Sequence, residues 1–175
     1  ALAGLPIKGG NYLVFTLNRK VLLADQDNLE KMLRVLSETA GDLPIIAPLR
    51  DSAVQVIMSL SLKKKINLHN LHIVKPLGYL EFAYLTAHAL GIVTDSGNVA
   101  EEATFNSIPC ITLNSYTEHI ETVKVGSNVL VGEDAELLRS ALSDMVVGTW
   151  KKSGIPDRWD GRSAERILQI LLEHH

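Results

Sequence analysis

The stretch GIVTDSGNVAEEATFNSIPCITLN, residues 91–114, holds two apolar runs separated by a small-residue turn and an acidic segment that reads as a helix. Strand, turn, helix and strand in that order make a crossover unit, the way parallel strands are joined. The same alternation extends in both directions. NYLVFTL (11–17), LPIIAPL (43–49), LHIVKPL (71–77), GIVTDS (91–96), PCITLN (109–114) and SNVLVG (127–132) are short, nearly continuous hydrophobic runs. Strands buried on both faces have this texture. Between them, Leu29, Met32, Leu33 and Leu36 form one apolar stripe at i, i+3, i+4, i+7. Asp27 is placed to cap that helix and Gly41 to stop it. Residues 52–65 and 134–147 repeat the pattern, and 79–90 is apolar on most sides, which predicts a well-buried helix. The fold expected is α/β, a doubly wound Rossmann-like parallel sheet of about six strands.

Past residue 148 the texture changes. Residues 1–148 read as the Rossmann-like domain, and 149–173 as a loop with both tryptophans and a terminal helix capped by Ser163. His174 and His175 read as the remnant of an affinity tag. The opening ten residues lead at once into the first strand, which suits a domain excised from something longer.

The bulk numbers exclude several classes. With 175 residues, about 70% of the unfolded chain's surface can be buried. A formal charge of −3 gives no general attraction to nucleic acid or to an anionic membrane, and no apolar run approaches the roughly 18 residues of a span. Lys63-Lys64-Lys65 reads as a solvated helix end. Cys110 is the sole cysteine and reads as a small buried hydrophobe, which fits a reducing cytoplasm. His69 and His72 have no third ligand nearby in sequence, so no metal is expected.

The turn at Asp95-Ser96-Gly97-Asn98 carries the chemistry. Open α/β sheets bind ligands at the carboxyl ends of their strands, and a helix amino terminus offers free N–H groups to a phosphate. Gly97 lets the backbone approach the phosphate oxygens, and Ser96 can cap the helix and donate to the ligand. Glu101 and Glu102, one turn on, point about 100° apart. Spacing leaves two readings open: one of them accepts hydrogen bonds from sugar hydroxyls of a nucleotide, or both merely favour the positive end of the helix.

With these residues in view, the chain resembles the C-terminal domain of the non-hydrolysing UDP-N-acetylglucosamine 2-epimerases. PLGYLEFAYL is similar to that family's Pro-Leu-x-Tyr-Leu-x-Phe segment, and IVTDSGNVAEEA to its Thr-Asp-Ser-Gly-Gly-x-x-Glu-Glu motif. LNSYTEHIETV stands where the family has Arg-x-x-Thr-Glu-Arg-Pro-Glu, and IPDRWDGRSAERI resembles its Trp-Asp-Gly-x-x-Ala-x-Arg ending. The resemblance implies one half of a glycosyltransferase-B-type protein, gripping the UDP portion of a UDP-sugar without a cofactor. By position, Ser96 and Gly97 would donate to the diphosphate, with Asn98 at the second glycine. Glu102 would hold the ribose, Phe82 would lie against uracil, and Arg19, Glu118 and His119 would complete the substrate site. The implied chemistry is elimination of UDP followed by re-addition with inverted C2. Its acid–base residues belong mainly to an N-terminal domain, the implied partner; a homodimer is left open.

The departures share a direction. The family's Thr-x-His-Arg-x-Glu gives Asn18 for the histidine and Val21 for the glutamate, with Arg19 kept. Its His-Pro after the second strand becomes Arg50-Asp51, and its two arginines around Thr-Glu become Asn114 and His119. An amide cannot relay a proton as imidazole does, and a histidine grips phosphate less firmly than a bidentate arginine. A divergent member that binds UDP-sugar with weak or no turnover is therefore the alternative, and a glycosyltransferase donor domain shares the fold and the nucleotide.

Overall fold

The computed structural model describes residues 2–174, so His175 of the expected tag remnant lies outside it. Six strands form one parallel sheet: β1 (Leu13–Phe15), β2 (Ile45–Pro48), β3 (Leu71–Val74), β4 (Gly91–Thr94), β5 (Cys110–Thr112) and β6 (Asn128–Leu130). Their order is β3-β2-β1-β4-β5-β6, every neighbouring pair parallel. The chain starts at the centre, winds outward to β3, then returns to β4 and winds the other way. The switch lies between β1 and β4, where Val14 stands opposite Ile92. Connections diverging on opposite sides of the sheet leave a crevice there.

The helices are α1 (Lys20–Ala24), α2 (Gln26–Ala40), α3 (Asp51–Lys64), α4 (Tyr79–Ala87), α5 (Gly97–Phe105), α6 (Ile120–Lys124), α7 (Ala135–Val147) and α8 (Ser163–Glu173). Alternate strand residues feed opposite faces, as the two-residue period requires. Leu13, Phe15, Ile45, Val93 and Ile111 pack with Leu33 and Leu36 of α2, Ile57 of α3 and Leu142 of α7. Val14, Ile46, Ile92 and Cys110 pack with Leu85 of α4 and Ala100 and Ala103 of α5. Glycine at 91 gives the buried Met145 side chain of α7 its room, since a Cβ there would run into it. Burial pushes the Cys110 thiol up to about 12, as an inert core cysteine should be.

Several sequence expectations are corrected. The cap of α2 is Asp25, whose side chain accepts from the Asn28 N–H; Asp27 sits inside the first turn, while Gly41 ends the helix as expected. Ser163 is the first helical residue of α8, after Arg162. The short helices α1 and α6 carry too few residues to show a period. The larger miss is α4: only Leu85 and Thr86 are buried in it, and Tyr79 and Leu80 are 72% and 81% exposed. An apolar helix reports that it can be covered, not that a neighbouring element covers it.

Residues after 148 begin by closing the sheet. The Trp150 indole N–H donates to the Ser127 carbonyl at 2.9 Å, and Lys151 Nζ donates to the Asn128 and Val123 carbonyls, each at 2.6 Å. These bonds occupy groups beside edge strand β6, and burial lowers the Lys151 pKa. Beyond them, α8 has no buried residue, and Ile167, Ile170 and Leu171 are each more than half exposed.

Candidate functional site

The site is assembled where β1, β4 and β5 end. Asp95, directly after β4, is only 6% exposed. Its carboxylate accepts the backbone N–H groups of Asn18 and Arg19, at 2.7 and 2.6 Å, and so holds the loop after β1. The Asp95 carbonyl accepts the Asn114 side-chain amide at 3.2 Å, and the Asn114 side-chain oxygen accepts from the Arg19 guanidinium. Three loops are thereby closed into one ring of hydrogen bonds. Below it, the Thr16 and Thr94 hydroxyls share a buried bond at 2.7 Å.

The turn into α5 leaves donors free for a ligand. Ser96 occupies the cap position, but its side chain makes no capping hydrogen bond, and its own N–H is taken by the Thr94 hydroxyl at 3.1 Å. The first turn of a helix has N–H groups with no partner inside the helix, and they carry the positive end of its dipole. A cleft of about 300 Å³ opens at this point, lined by Arg19, Ser96, Gly97, Asn98, Glu118 and His119. On the other side of Ser96 a second cleft of about 300 Å³ is lined by Asn18, Pro48, Arg50, Pro76, Phe82 and Val99. The first is polar and faces the helix terminus; the second has an aromatic ring and two prolines. Their shared wall is one serine, which suits a ligand with an anionic portion joined to a flat, less polar one.

The residues singled out from sequence are thus brought together with one exception. Arg19, Ser96, Gly97, Asn98, Glu118 and His119 share the first cleft, and Phe82 enters the second while also packing on the core. Glu102 lines neither. It borders a third cleft, of about 260 Å³, with Glu101, Phe105 and Trp159. Glu101 reaches back instead, its carboxylate 2.8 Å from His119 Nδ1. Sequence reasoning assigned no role to Asp95, to Asn114 as a ligand of Arg19, or to Glu101. For Asp95 one signal was present: a carboxylate directly after an apolar strand, at the end of the sheet where ligands bind. Among the described residues no group of three or more His, Cys, Asp or Glu is placed to hold a metal ion, and no helix is long and apolar enough to cross a membrane.

A sequence profile of the family described as UDP-N-acetylglucosamine 2-epimerase matches residues 2–172. The chain belongs to the UDP-N-acetylglucosamine 2-epimerase family. The Methanocaldococcus jannaschii UDP-N-acetylglucosamine 2-epimerase is 35% identical over 164 residues, covering 92% of this chain and 44% of the relative. A Pseudomonas aeruginosa UDP-2,3-diacetamido-2,3-dideoxy-D-glucuronate 2-epimerase is 33% identical over 175 residues, covering 97% and 46%. The crystal structure of the M. jannaschii enzyme in complex with UDP-GlcNAc and UDP superposes with a TM-score of 0.75, at 35% identity over 93% of this chain and 45% of that one. An Escherichia coli heptosyltransferase, 15% identical with a TM-score of 0.56 over 85% and 46%, shares the fold alone. The chain spans about half the length of the curated relatives it matches.

Proposed function

We infer that this chain is the UDP-binding half of a UDP-N-acetylglucosamine 2-epimerase, converting UDP-GlcNAc to UDP-ManNAc by elimination and re-addition of UDP. The observation that carries the reading is the paired cleft about Ser96, at the β1/β4 switch of a chain that matches the family from residue 2 to 172. The diphosphate sits at the amino end of α5, receiving the Gly97 and Asn98 N–H groups, the free Ser96 hydroxyl and the Arg19 guanidinium. Uracil enters the second cleft against Phe82, with Ser96 between base and diphosphate. Ribose lies along α5, where a side-chain rotation of Glu102 brings its carboxylate to the hydroxyls. Negative charge develops on the diphosphate as the sugar leaves, so donors fixed there stabilise that step.

The partner in this reading is an N-terminal domain of the same protein, supplying the acid–base carboxylates. The exposed apolar face of α8 is consistent with packing across to it. Alone, half a cleft neither excludes water nor aligns the sugar, so the isolated chain binds without turnover. A UDP titration followed by thermal unfolding tests the assignment. At about a hundred times Kd a ligand stabilises by roughly 2.7 kcal/mol, a rise in Tm of about 5–11 °C for a chain of this size. No protection at millimolar UDP refutes it.

A second reading has its own support. Val21, where the family has glutamate, is 61% exposed, and Asn18 replaces its histidine. A parent that grips UDP-sugar with little turnover is distinguished by Asn18→His: a gain in epimerisation at unchanged UDP affinity favours it. The identity of the sugar is settled by offering UDP-GlcNAc and the diacetamido glucuronate nucleotide separately.

A further inference from the structure

His119 is held more firmly than a cleft-lining side chain needs to be. Its backbone N–H donates to the Thr117 hydroxyl at 3.0 Å, and its carbonyl accepts the Thr122 hydroxyl at 2.7 Å and the Thr122 N–H at 3.0 Å. The ring runs from Glu101, 2.8 Å from Nδ1, to the start of α5. A Cβ placed on Gly97 would lie 3.0 Å from the ring's Cδ2 and 3.4 Å from Nε2. Gly97 and Glu101 are four residues apart and so share a face of α5. The imidazole lies along that face, carboxylate behind it and Nε2 edge toward the anion-facing turn. Its charged neighbours along the cleft are Arg19 from the loop after β1, Asp95 after β4, and Glu118 beside it in its own loop.

A carboxylate oxygen 2.8 Å from Nδ1 favours the proton there over a lone pair when the ring is neutral, which leaves the lone pair on Nε2. A lone pair repels a phosphate oxygen; a protonated Nε2 donates to it as a charge-assisted hydrogen bond. We propose that His119, oriented by Glu101, is a proton-linked grip on the diphosphate: Nε2 takes up one proton from solvent as the ligand binds and donates it in a hydrogen bond. No covalent bond is made or broken. Glu101 is the positioning residue, which gives the first glutamate of the pair a role its neighbour does not share. The proposal rests on the UDP reading above.

The test is calorimetry of the chain with UDP-N-acetylglucosamine, whose diphosphate diester does not titrate near neutrality, in two buffers of different ionisation enthalpy. The expected result is net proton uptake, with affinity falling toward about tenfold per pH unit on the alkaline side. His119→Gln abolishes the uptake and flattens the profile. Glu101→Gln, which no longer holds the neutral ring's proton on Nδ1, reduces the uptake, and His119→Arg binds at least as tightly with no pH dependence. A flat wild-type profile, or uptake that survives in His119→Gln, overturns the proposal while leaving UDP binding intact. Absence of binding by both the wild type and His119→Arg overturns the UDP reading and this proposal with it.

Discussion

Removing the Asp95 carboxylate should loosen the whole mouth of the sheet. Asp95 accepts two backbone N–H groups from the loop after β1, both on one oxygen. Hydrogen bonds to a charged acceptor contribute about 1.5–3 kcal/mol each, and two sharing one oxygen contribute less than twice that. Asn18 is exposed and Arg19 half-buried, so water reaches the freed donors and offsets part of the loss. Asp95→Ala is therefore expected to cost about 3 kcal/mol, a fall in Tm of roughly 6–12 °C at this chain length. Asp95→Asn keeps an acceptor oxygen but loses the charge, which roughly halves the bond strength, so its cost is about 1.5 kcal/mol. Urea unfolding of the three proteins gives these differences directly. UDP affinity should fall in the same order, because the loop held by Asp95 carries Arg19. Two outcomes refute the reasoning: both variants within about 0.5 kcal/mol of wild type, or Asn as costly as Ala.

Three further outcomes follow from other parts of the molecule. Gly97→Ala puts a methyl group 3.0 Å from the His119 ring, so UDP binding should weaken at least several-fold with little change in stability; equilibrium titration and urea unfolding separate the two. Cys110 is fully buried with its thiol raised to about 12, so at pH 8 it is protonated and covered. A disulfide reagent should label it only at the rate of opening, and rapid labelling of the folded chain would contradict the core described. Replacing Ile167, Ile170 and Leu171 by serine should leave the stability of the isolated chain within about 0.5 kcal/mol, since exposed positions contribute little. In the proposed two-domain protein the same triple change should abolish the proposed epimerase activity, measured by sugar-nucleotide turnover.

The architecture was legible because its signals are local and repeated. Each strand is a short apolar run between turn residues, and each of α2, α3 and α7 shows its stripe, so six strands and a doubly wound order could be expected before any coordinates. Strand lengths were overestimated, because Thr16, Leu17, Leu113 and Val131 continue the apolar or β-branched texture past the last ladder pair. The Ser96-Gly97 corner was legible for the same local reason. What was not legible depends on partners far away in sequence. The bond from Arg19 N–H to Asp95 spans 76 residues, and that from Arg19 to Asn114 spans 95. Which glutamate meets His119 is decided by where the loop before α6 sets that histidine, not by the helical period of α5. The exposed flank of α4 and the bare face of α8 are the converse case: apolar surface reads as core whether or not this chain covers it.

The start of α5 and the loop after β1 form the proposed diphosphate seat. It is tested most directly by following backbone amide resonances of the isotope-labelled chain during a UDP titration. The largest shifts are expected at Asn18, Arg19, Ser96, Gly97 and Asn98, with a second group at Phe82 and Val99 and saturation at one UDP per chain. A further cleft of about 220 Å³ lies by edge strand β6, lined by Val129, Leu137, Ser140, Trp150 and Lys151. Saturable binding whose shifts gather there instead, with Ser96 and Gly97 unmoved, would contradict the diphosphate seat.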